Sequence, residues 1–225
     1  MTRKELEEYI DNSILMGNVI TEDIEAYYKR YLDFIGVPGR AFVKIFCEQL
    51  LGSVCVNDIF YFKKDQNNNI HLLFLDVTKC TGEAIEIDLG DTVDIIDDNF
   101  LIGFRNLKSI SGESVVSIGK NCFFGNALES INFPNLREIG NESFACSEKL
   151  RHVELNKLKV LPNDVFKDCP QLESFRGDEV EVVEKGAFAH CRNLKTTIVP
   201  KLSKRERKKL RRSARPHTYR IAYYK

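Results

Sequence analysis

The sequence predicts an α+β fold: a solenoid of about five to six repeats of 21–23 residues, with a cap at each end. Leucines recur at a fixed interval in the second half of the chain, helical and hairpin patterns fill the first 83 residues, and a basic C-terminal segment keeps the same interval. These observations divide the chain into an N-terminal helical domain (1–52), a β-hairpin capping region (53–83), the repeats (84–202) and a basic C-terminal cap (203–225).

Residues 1–52 carry the patterns of three short helices. Thr2 and Glu5 have the spacing of a capping box, and apolar residues follow them at helical intervals. A second helix is predicted from Thr21 and a third over residues 40–51, which ends before Gly52. The second helix has a tyrosine-rich stripe, which we interpret as core; the alternative is a docking face for a partner.

Residues 53–83 are predicted to form a β-hairpin. Two β-rich runs, 53–64 and 69–77, are joined by the turn sequence DQNNN at 65–69. The hairpin is expected to cap one end of the solenoid and to add edge strands to its sheet. The turn imitates a calcium-binding loop, but Ile70 stands where that loop requires glycine, so no metal site is predicted.

The repeats are defined by leucines spaced 21, 22, 22 and 22 residues apart. These leucines are Leu107, Leu128, Leu150, Leu172 and Leu194. Counting each leucine as position 0, apolar residues recur at +3, +8 and +11, and phenylalanine recurs at +16 in the first four units. A weaker unit begins at Ala84. Apolar and polar residues alternate after each leucine, which predicts a strand. Because one unit cannot bury its own apolar face, neighbouring units must stack.

The pattern resembles the BspA-like class of leucine-rich repeats over residues 84 to about 202. The resemblance is carried by GAFAHC (186–191), DVFKDC (164–169), ESFACS (142–147) and SIGKNCF (117–123). It implies a leucine-rich-repeat solenoid that offers a binding surface. Many members of that class are secreted or surface adhesins, whereas the charged residues at the start of this sequence predict a cytoplasmic protein.

Positions +2, +4 and +6 alternate away from the core and are predicted to form a concave protein-binding face. They are Glu86, Asp88, Ser109, Ser111, Glu113, Ser130, Asn132, His152, Glu154, Asn156, Ser174, Arg176 and Asp178, followed by Thr196 and Ile198. The set is polar and contains no aromatic residue, a composition that favours a modest or partner-specific interface.

Residues 201–225 contain eleven Lys or Arg and one Glu, whereas the first 200 residues contain 22 basic and 32 acidic residues. Leu202 and Leu210 continue the repeat spacing, Ser203 and Glu206 form a second capping box, and a last strand is predicted over 218–224. The outward-facing basic surface is predicted to comprise Lys204, Arg205, Lys208, Lys209, Arg211, Arg212 and Arg215. We interpret this segment as an end cap. The alternatives are a contact with nucleic acid or an acidic partner through residues 201–220, and a disordered tail.

An acidic stretch between residues 83 and 98 has no intervening base. Its seven carboxylates are interpreted as a solvated face, with attraction of a basic partner as the alternative. They are Glu83, Glu86, Asp88, Asp91, Asp94, Asp97 and Asp98.

Catalytic and metal-binding patterns are missing from the sequence. Gly112 and Gly119-Lys120 do not have phosphate-loop spacing, and Asn121 replaces the required Ser or Thr. The four histidines show no ligand spacing, and the seven cysteines form no C-x-x-C pair and are predicted to be structural thiols. We therefore predict no cofactor and no metal.

Together these patterns predict a non-enzymatic recognition protein, an adaptor, effector or inhibitor, with a protein or ribonucleoprotein partner. The alternative is a nucleic-acid-associated protein that uses the basic helix; a small enzyme is the third possibility. No membrane contact and no small-molecule substrate are expected.

Overall fold

The structure, a computed structural model, describes residues 2–16, 54–56, 60–75 and 85–213. The helices are α1 (Arg3–Leu15) and α2 (Lys204–Ser213). The strands are β1 (Val54–Val56), β2 (Phe60–Lys64), β3 (Ile70–Leu75), β4 (Ile85–Asp88), β5 (Ile95–Ile96), β6 (Leu107–Ser111), β7 (Ser117–Ile118), β8 (Ser130–Asn132), β9 (Glu138–Ile139), β10 (His152–Glu154), β11 (Val160–Leu161), β12 (Ser174–Arg176), β13 (Val182–Val183) and β14 (Thr196–Ile198). The helices predicted from Thr21 and over 40–51, the strand predicted over 218–224, and Arg215 lie outside the described residues.

Successive coils of the solenoid each contribute one strand to a parallel front sheet. Its strands pair in the orders β4-β6-β8 and β10-β12-β14. Ser109 pairs with Ser130, and His152 pairs with Ser174, so residues one repeat apart lie side by side. This register confirms the 21- or 22-residue repeat. We call the solvent-facing side of these six strands the front face.

A second set of parallel strands, only two residues long, forms a rear ladder. It comprises β5, β7 and β9, and then β11 and β13. The predicted hairpin is present as antiparallel β2 and β3, and β3 continues the rear ladder by pairing with β5 through His71 and Ile95. The hairpin therefore extends the rear ladder.

A column of stacked phenylalanines fills the third side of each coil. All five rings are fully buried, and their centroids lie 6.1, 5.1, 5.7 and 5.6 Å apart along the column. They are Phe100, Phe123, Phe144, Phe166 and Phe188. The last four are nearly parallel, with interplanar angles of 11–15°. The column explains the repeated phenylalanine at +16, because each ring packs on its equivalent in the next coil.

Two residues of each coil, one on either side of this phenylalanine, adopt the left-handed backbone conformation. In the coils that begin at Leu107, Leu128, Leu150 and Leu172, one is at +14 (Asn121, Glu142, Asp164 and Gly186) and the other at +18 (Gly125, Cys146, Asp168 and His190). Asn99 and Gly103 are their counterparts in the first coil, and all ten have φ between 53° and 72°. Gly and Asn adopt this conformation at low cost, whereas Glu and Cys are strained by it. The tight return around the phenylalanine thus depends on unusual backbone angles.

The backbones of neighbouring coils approach each other closely at Gly119 and Gly140, both at +12. A Cβ added to Gly140 would lie 2.6 Å from the backbone carbon of Gly119 and 2.7 Å from the Cα of Lys120. Only glycine fits such an approach without backbone movement. Gly119 therefore belongs to a repeat turn, as its spacing predicts, rather than to a phosphate loop.

Both terminal helices are anchored by buried apolar side chains. In α1, Leu6 and Ile10 are fully buried, and the capping box is complete: Thr2 N–H donates to Glu5 Oε2 at 2.7 Å, and Glu5 N–H donates to Thr2 Oγ1 at 3.3 Å. In α2, Leu210 is 2% exposed. These helices are therefore packed parts of the fold.

Candidate interaction surfaces

The +2 and +4 residues of the predicted concave set lie on the front face, and every residue of the set is exposed or half-buried. The +6 residues Glu113, Asn156 and Asp178 lie just beyond the ends of their strands. Alternation along the strands explains the exposure of the +2 and +4 residues, because the intervening positions, such as Ile110, Val153 and Phe175, are buried. The set forms two main rows across the strands, at +2 and +4. Their use in binding remains a prediction.

Hydrogen bonds between neighbouring strands, and one ion pair within a coil, order several of these side chains. Ser111 Oγ donates to Asp88 Oδ1 at 2.7 Å, and the pKa of Asp88 is lowered chiefly by this bond. His152 Nδ1 lies 2.8 Å from Ser174 Oγ. Arg176 pairs with Asp178, with two N–O distances of 3.0 Å. The front face is therefore a partly preorganised polar surface.

The basic helix α2 lies on the rear ladder, away from the front face. Of its predicted basic surface, Lys204, Arg205, Lys208, Lys209, Arg211 and Arg212 are all exposed. The helix packs against β13, and its Leu210 is buried in the hydrophobic core. The C-terminal segment is thus a cap as far as residue 213, and the disordered-tail alternative is wrong for that part.

Glu206 has a role that differs from the sequence prediction. Ser203 Oγ accepts the N–H of Glu206 at 3.2 Å, which is half of a capping box. The Glu206 carboxylate, however, accepts the N–H of Val183 at 3.2 Å and pairs with Lys209 Nζ at 2.7 Å. Its hydrogen bond with Lys209 is the main cause of its lowered pKa. Glu206 therefore covers the outer edge of β13, a role with no local sequence signal.

The acidic stretch is more engaged than its sequence predicts. Asp94 pairs with Arg3 of α1 at 2.7 Å, and Asp97 lies 3.0 Å from His71 of β3. Asp98 Oδ1 accepts the N–H of Lys120 at 2.6 Å. The interpretation as a solvated face is therefore wrong for Asp94, Asp97 and Asp98, which hold the N-terminal cap and the first coils together. Glu86, Asp88 and Asp91 are exposed, and Glu83 lies outside the described residues.

Three cysteine thiols are buried and donate to backbone carbonyls of the preceding coil. Cys122 Sγ lies 2.8 Å from the oxygen of Asp97, Cys169 Sγ lies 3.1 Å from that of Phe144, and Cys191 Sγ lies 2.9 Å from that of Phe166. Burial raises the pKa of both Cys122 and Cys169. Such thiols are structural, as predicted, because reactive cysteines need an exposed and electropositive setting.

Two surface grooves lie next to charged side chains. One, of about 410 Å³, is lined by Arg137, Glu138, Lys157, Lys159 and Glu179. The other, of about 370 Å³, lies between the last full coil and α2 and is lined by Val183, Glu184, Lys185, Gly186, Lys209 and Arg212. We call the second one the cap groove.

The described residues, 2–16, 54–56, 60–75 and 85–213, contain neither a cluster of metal ligands nor a membrane-spanning helix. Within these ranges, no three His, Cys, Asp or Glu side chains cluster as metal ligands would. Neither described helix has the length and apolar character that crossing a bilayer requires.

Comparison with solved structures shows the same fold. A leucine-rich repeat protein from Eubacterium ventriosum superposes with a TM-score of 0.53 at 23% identity, over 67% of this chain and 42% of that one. The pneumococcal vaccine antigen PcpA superposes with a TM-score of 0.53 at 21% identity, over 68% of this chain and 38% of that one. The chain thus spans about two fifths of the length of either structure. No curated protein sequence matches it.

A family model, the BspA type leucine-rich repeat region, matches residues 78–205 in six copies. The matched segment is more than half of the chain, and its periodicity is that of the stacked coils in the structure. The chain therefore belongs to the BspA-type leucine-rich-repeat family.

Proposed function

We propose that this protein is a non-enzymatic recognition protein, an adaptor, effector or inhibitor, that binds a protein partner through its front face. Leucine-rich repeats generally serve as protein-interaction modules, and the family supports this class of function. The observation that carries the proposal is the pair of polar side-chain rows that cross two neighbouring three-stranded parallel sheets, β4-β6-β8 and β10-β12-β14, in which residues one repeat apart lie side by side.

The dimensions of the front face suit a protein partner. Parallel strands about 4.8 Å apart give six strands a span of roughly 25 Å, which is comparable to one side of a standard protein interface. The sheet is backed by a continuous buried core, so its side chains are presented on a rigid scaffold. Rigidity reduces the conformational entropy that binding must remove.

The side-chain chemistry of the front face supports binding over catalysis. The nearest approach to a nucleophile and base is Ser174 with His152, 2.8 Å apart. In the described part of the chain, no carboxylate bonds to the other nitrogen of His152, so the group that orients a catalytic histidine is missing. Leucine-rich-repeat folds are also typically non-enzymatic.

A cytoplasmic location is part of the proposal. Cys122, Cys146, Cys169 and Cys191 are all free thiols. Unpaired cysteines in this number are more typical of a reducing compartment than of an oxidising one.

Affinity capture with matched charge reversals tests the front face. Glu154→Arg changes an exposed side chain on β10, and Glu148→Arg makes the same change at an exposed turn residue outside the front sheet. We expect a captured protein to be lost with Glu154→Arg and retained with Glu148→Arg, while both variants keep the wild-type circular dichroism. Equal retention by the two variants would contradict binding through the front face.

A further inference from the structure

We propose that the C-terminal end of the solenoid, formed by α2 and the cap groove, binds the phosphate backbone of a nucleic-acid duplex without recognising its sequence. This surface lies on the rear ladder and is separate from the front face, so the inference does not depend on the proposed protein partner.

The cations of α2 are held in a fixed array. Seven of the ten residues of this helix are Lys or Arg. The helix is fixed to the solenoid by Leu210, which is 2% exposed, and by the bond from Val183 N–H to Glu206. A fixed array loses less conformational entropy on binding than a flexible basic tail of the same charge.

Most of the nearby acids are engaged with protein donors. Asp164 lies beside the cap groove: its Oδ1 stands against Gly186, and its Oδ2 is 3.9 Å from Lys167 Nζ. Glu206, the only acid in α2, accepts from Val183 N–H and pairs with Lys209. In the cap groove, Glu184 Oε2 accepts from the backbone N–H of Asn163 at 3.1 Å and from its side-chain amide at 2.8 Å. The surface therefore keeps a large excess of positive charge.

The cap groove offers donors that suit a phosphate group. Lys185, Lys209 and Arg212 line it together with Gly186. In the preceding coil, the equivalent N–H of Asp164 donates to the oxygen of Lys185 at 3.0 Å. The N–H of Gly186 has no acceptor among the described residues, because α2 replaces the next coil. A backbone N–H beside Lys and Arg side chains is a common setting for phosphate oxygens.

The exposed cations on one face of α2 can meet several charges of a repeating polyanion. Lys204, Lys208 and Arg211 stand at i, i+4 and i+7 of α2, so neighbouring side chains start about 5–6 Å apart along one face. Phosphates of a duplex follow each other at a rise of about 3.4 Å per strand, so several can be neutralised at once.

The composition of this surface favours the backbone over the bases. Residues 201–213 include no aromatic side chain that could stack on an unpaired base. Contacts from Lys and Arg to phosphates position a protein but carry no sequence information. A duplex of any sequence is therefore the expected ligand, and an acidic polypeptide is the competing one.

The test is a salt titration of the full chain with a fluorescently labelled DNA duplex of about 20 base pairs, between about 50 and 200 mM salt. The variant Lys208→Ala with Arg212→Ala removes two exposed cations of the surface. Arg151→Ala with Arg192→Ala removes two exposed arginines elsewhere and gives the same change in net charge.

We expect wild-type binding that weakens with salt, a logarithmic slope lower by about two in the α2 double variant, and no change in the control. Three results would each overturn the proposal: no binding at low salt, equal slopes in the two double variants, or displacement of the duplex by polyglutamate at equal charge concentration. Glu154→Arg should bind the duplex like the wild type, which separates this surface from the front face.

Discussion

Arg3 of α1 and Asp94 of the first coil form a two-point ion pair, in which Nη1 lies 2.8 Å from Oδ1 and Nη2 lies 2.7 Å from Oδ2. Oδ2 also accepts the N–H of Ile70 in β3 at 2.8 Å. One carboxylate therefore joins the N-terminal helix, the hairpin and the solenoid. Hydrogen bonding to Asp94 is the main cause of the raised pKa of Arg3.

Asp94→Ala should lower the free energy of unfolding by about 2–3 kcal/mol, because it leaves the Ile70 N–H without its acceptor and removes the two-point ion pair of the half-buried Arg3. Arg3 then keeps its bonds to Glu7 and to the Asp91 oxygen. Urea unfolding measures this change. Lys4→Ala is the control, since Lys4 and its partner Glu8 are 86% and 65% exposed, and its effect should stay within about 0.5 kcal/mol. Equal effects of the two variants would contradict a joining role for Asp94.

His71 should make the stability of the N-terminal cap depend on pH. It lies 3.0 Å from Asp97 and 3.4 Å from Asp65, and the hydrogen bond with Asp97 is the main cause of its raised pKa. Protonated His71 stabilises the folded state, so this contribution is full below the ordinary pKa of 6.5 and is lost as the pH rises through the higher folded value.

The measurement is urea unfolding over that pH range, together with NMR titration of the imidazole. In the His71→Gln variant, stability should no longer fall as the pH rises. His152→Gln is the control: it removes an imidazole bonded to a neutral hydroxyl, and its stability should still fall as in the wild type. A pKa of His71 at or below 6.5 in the folded protein would contradict the prediction.

Glu142→Asn should raise the free energy of unfolding by about 0.5–1 kcal/mol. Glu142 has φ of 56°, and the equivalent residues of the two preceding coils are Asn99 and Asn121, whose side chains are joined by a 3.2 Å hydrogen bond. Asparagine tolerates this backbone conformation better than glutamate does. Glu148→Asn, at a position without positive φ, is the matched control. Destabilisation by Glu142→Asn would show that the glutamate compensates for its strain.

Gly140→Ala should destabilise the fold by about 1–3 kcal/mol, because its Cβ would overlap the backbone of Gly119 and Lys120 in the preceding coil. Gly103→Asn should cost little, since Gly103 has φ of 68° and open space where a Cβ would be. Thermal unfolding of both variants distinguishes a glycine required by close backbone approach, Gly140, from a glycine that only adopts positive φ, Gly103. If Gly140→Ala destabilised the protein as little as Gly103→Asn, the spacing between coils would have to adjust at Gly140.

Burial within the repeats could be predicted from the sequence, because residues at the same repeat position occupy the same side of successive coils. Leu150 and Phe166 are buried, and Glu154 is exposed, in agreement with their places in the repeat. Contacts between the caps and the coils could not be predicted in this way. Arg3 and Asp94 are 91 residues apart, and their meeting depends on how α1 docks, which no local pattern encodes.

Leu210→Ala should destabilise the C-terminal cap by about 2–4 kcal/mol, because it empties a buried site between α2 and the solenoid. Amide hydrogen exchange at Val183 should accelerate as well, since α2 would no longer hold Glu206 against that N–H. Lys208→Ala changes an exposed side chain of the same helix and should leave both quantities unchanged. If Leu210→Ala left the exchange of Val183 at the wild-type rate, α2 would not be the cap of the rear ladder, and its cations would not be held in the fixed array on which duplex binding depends.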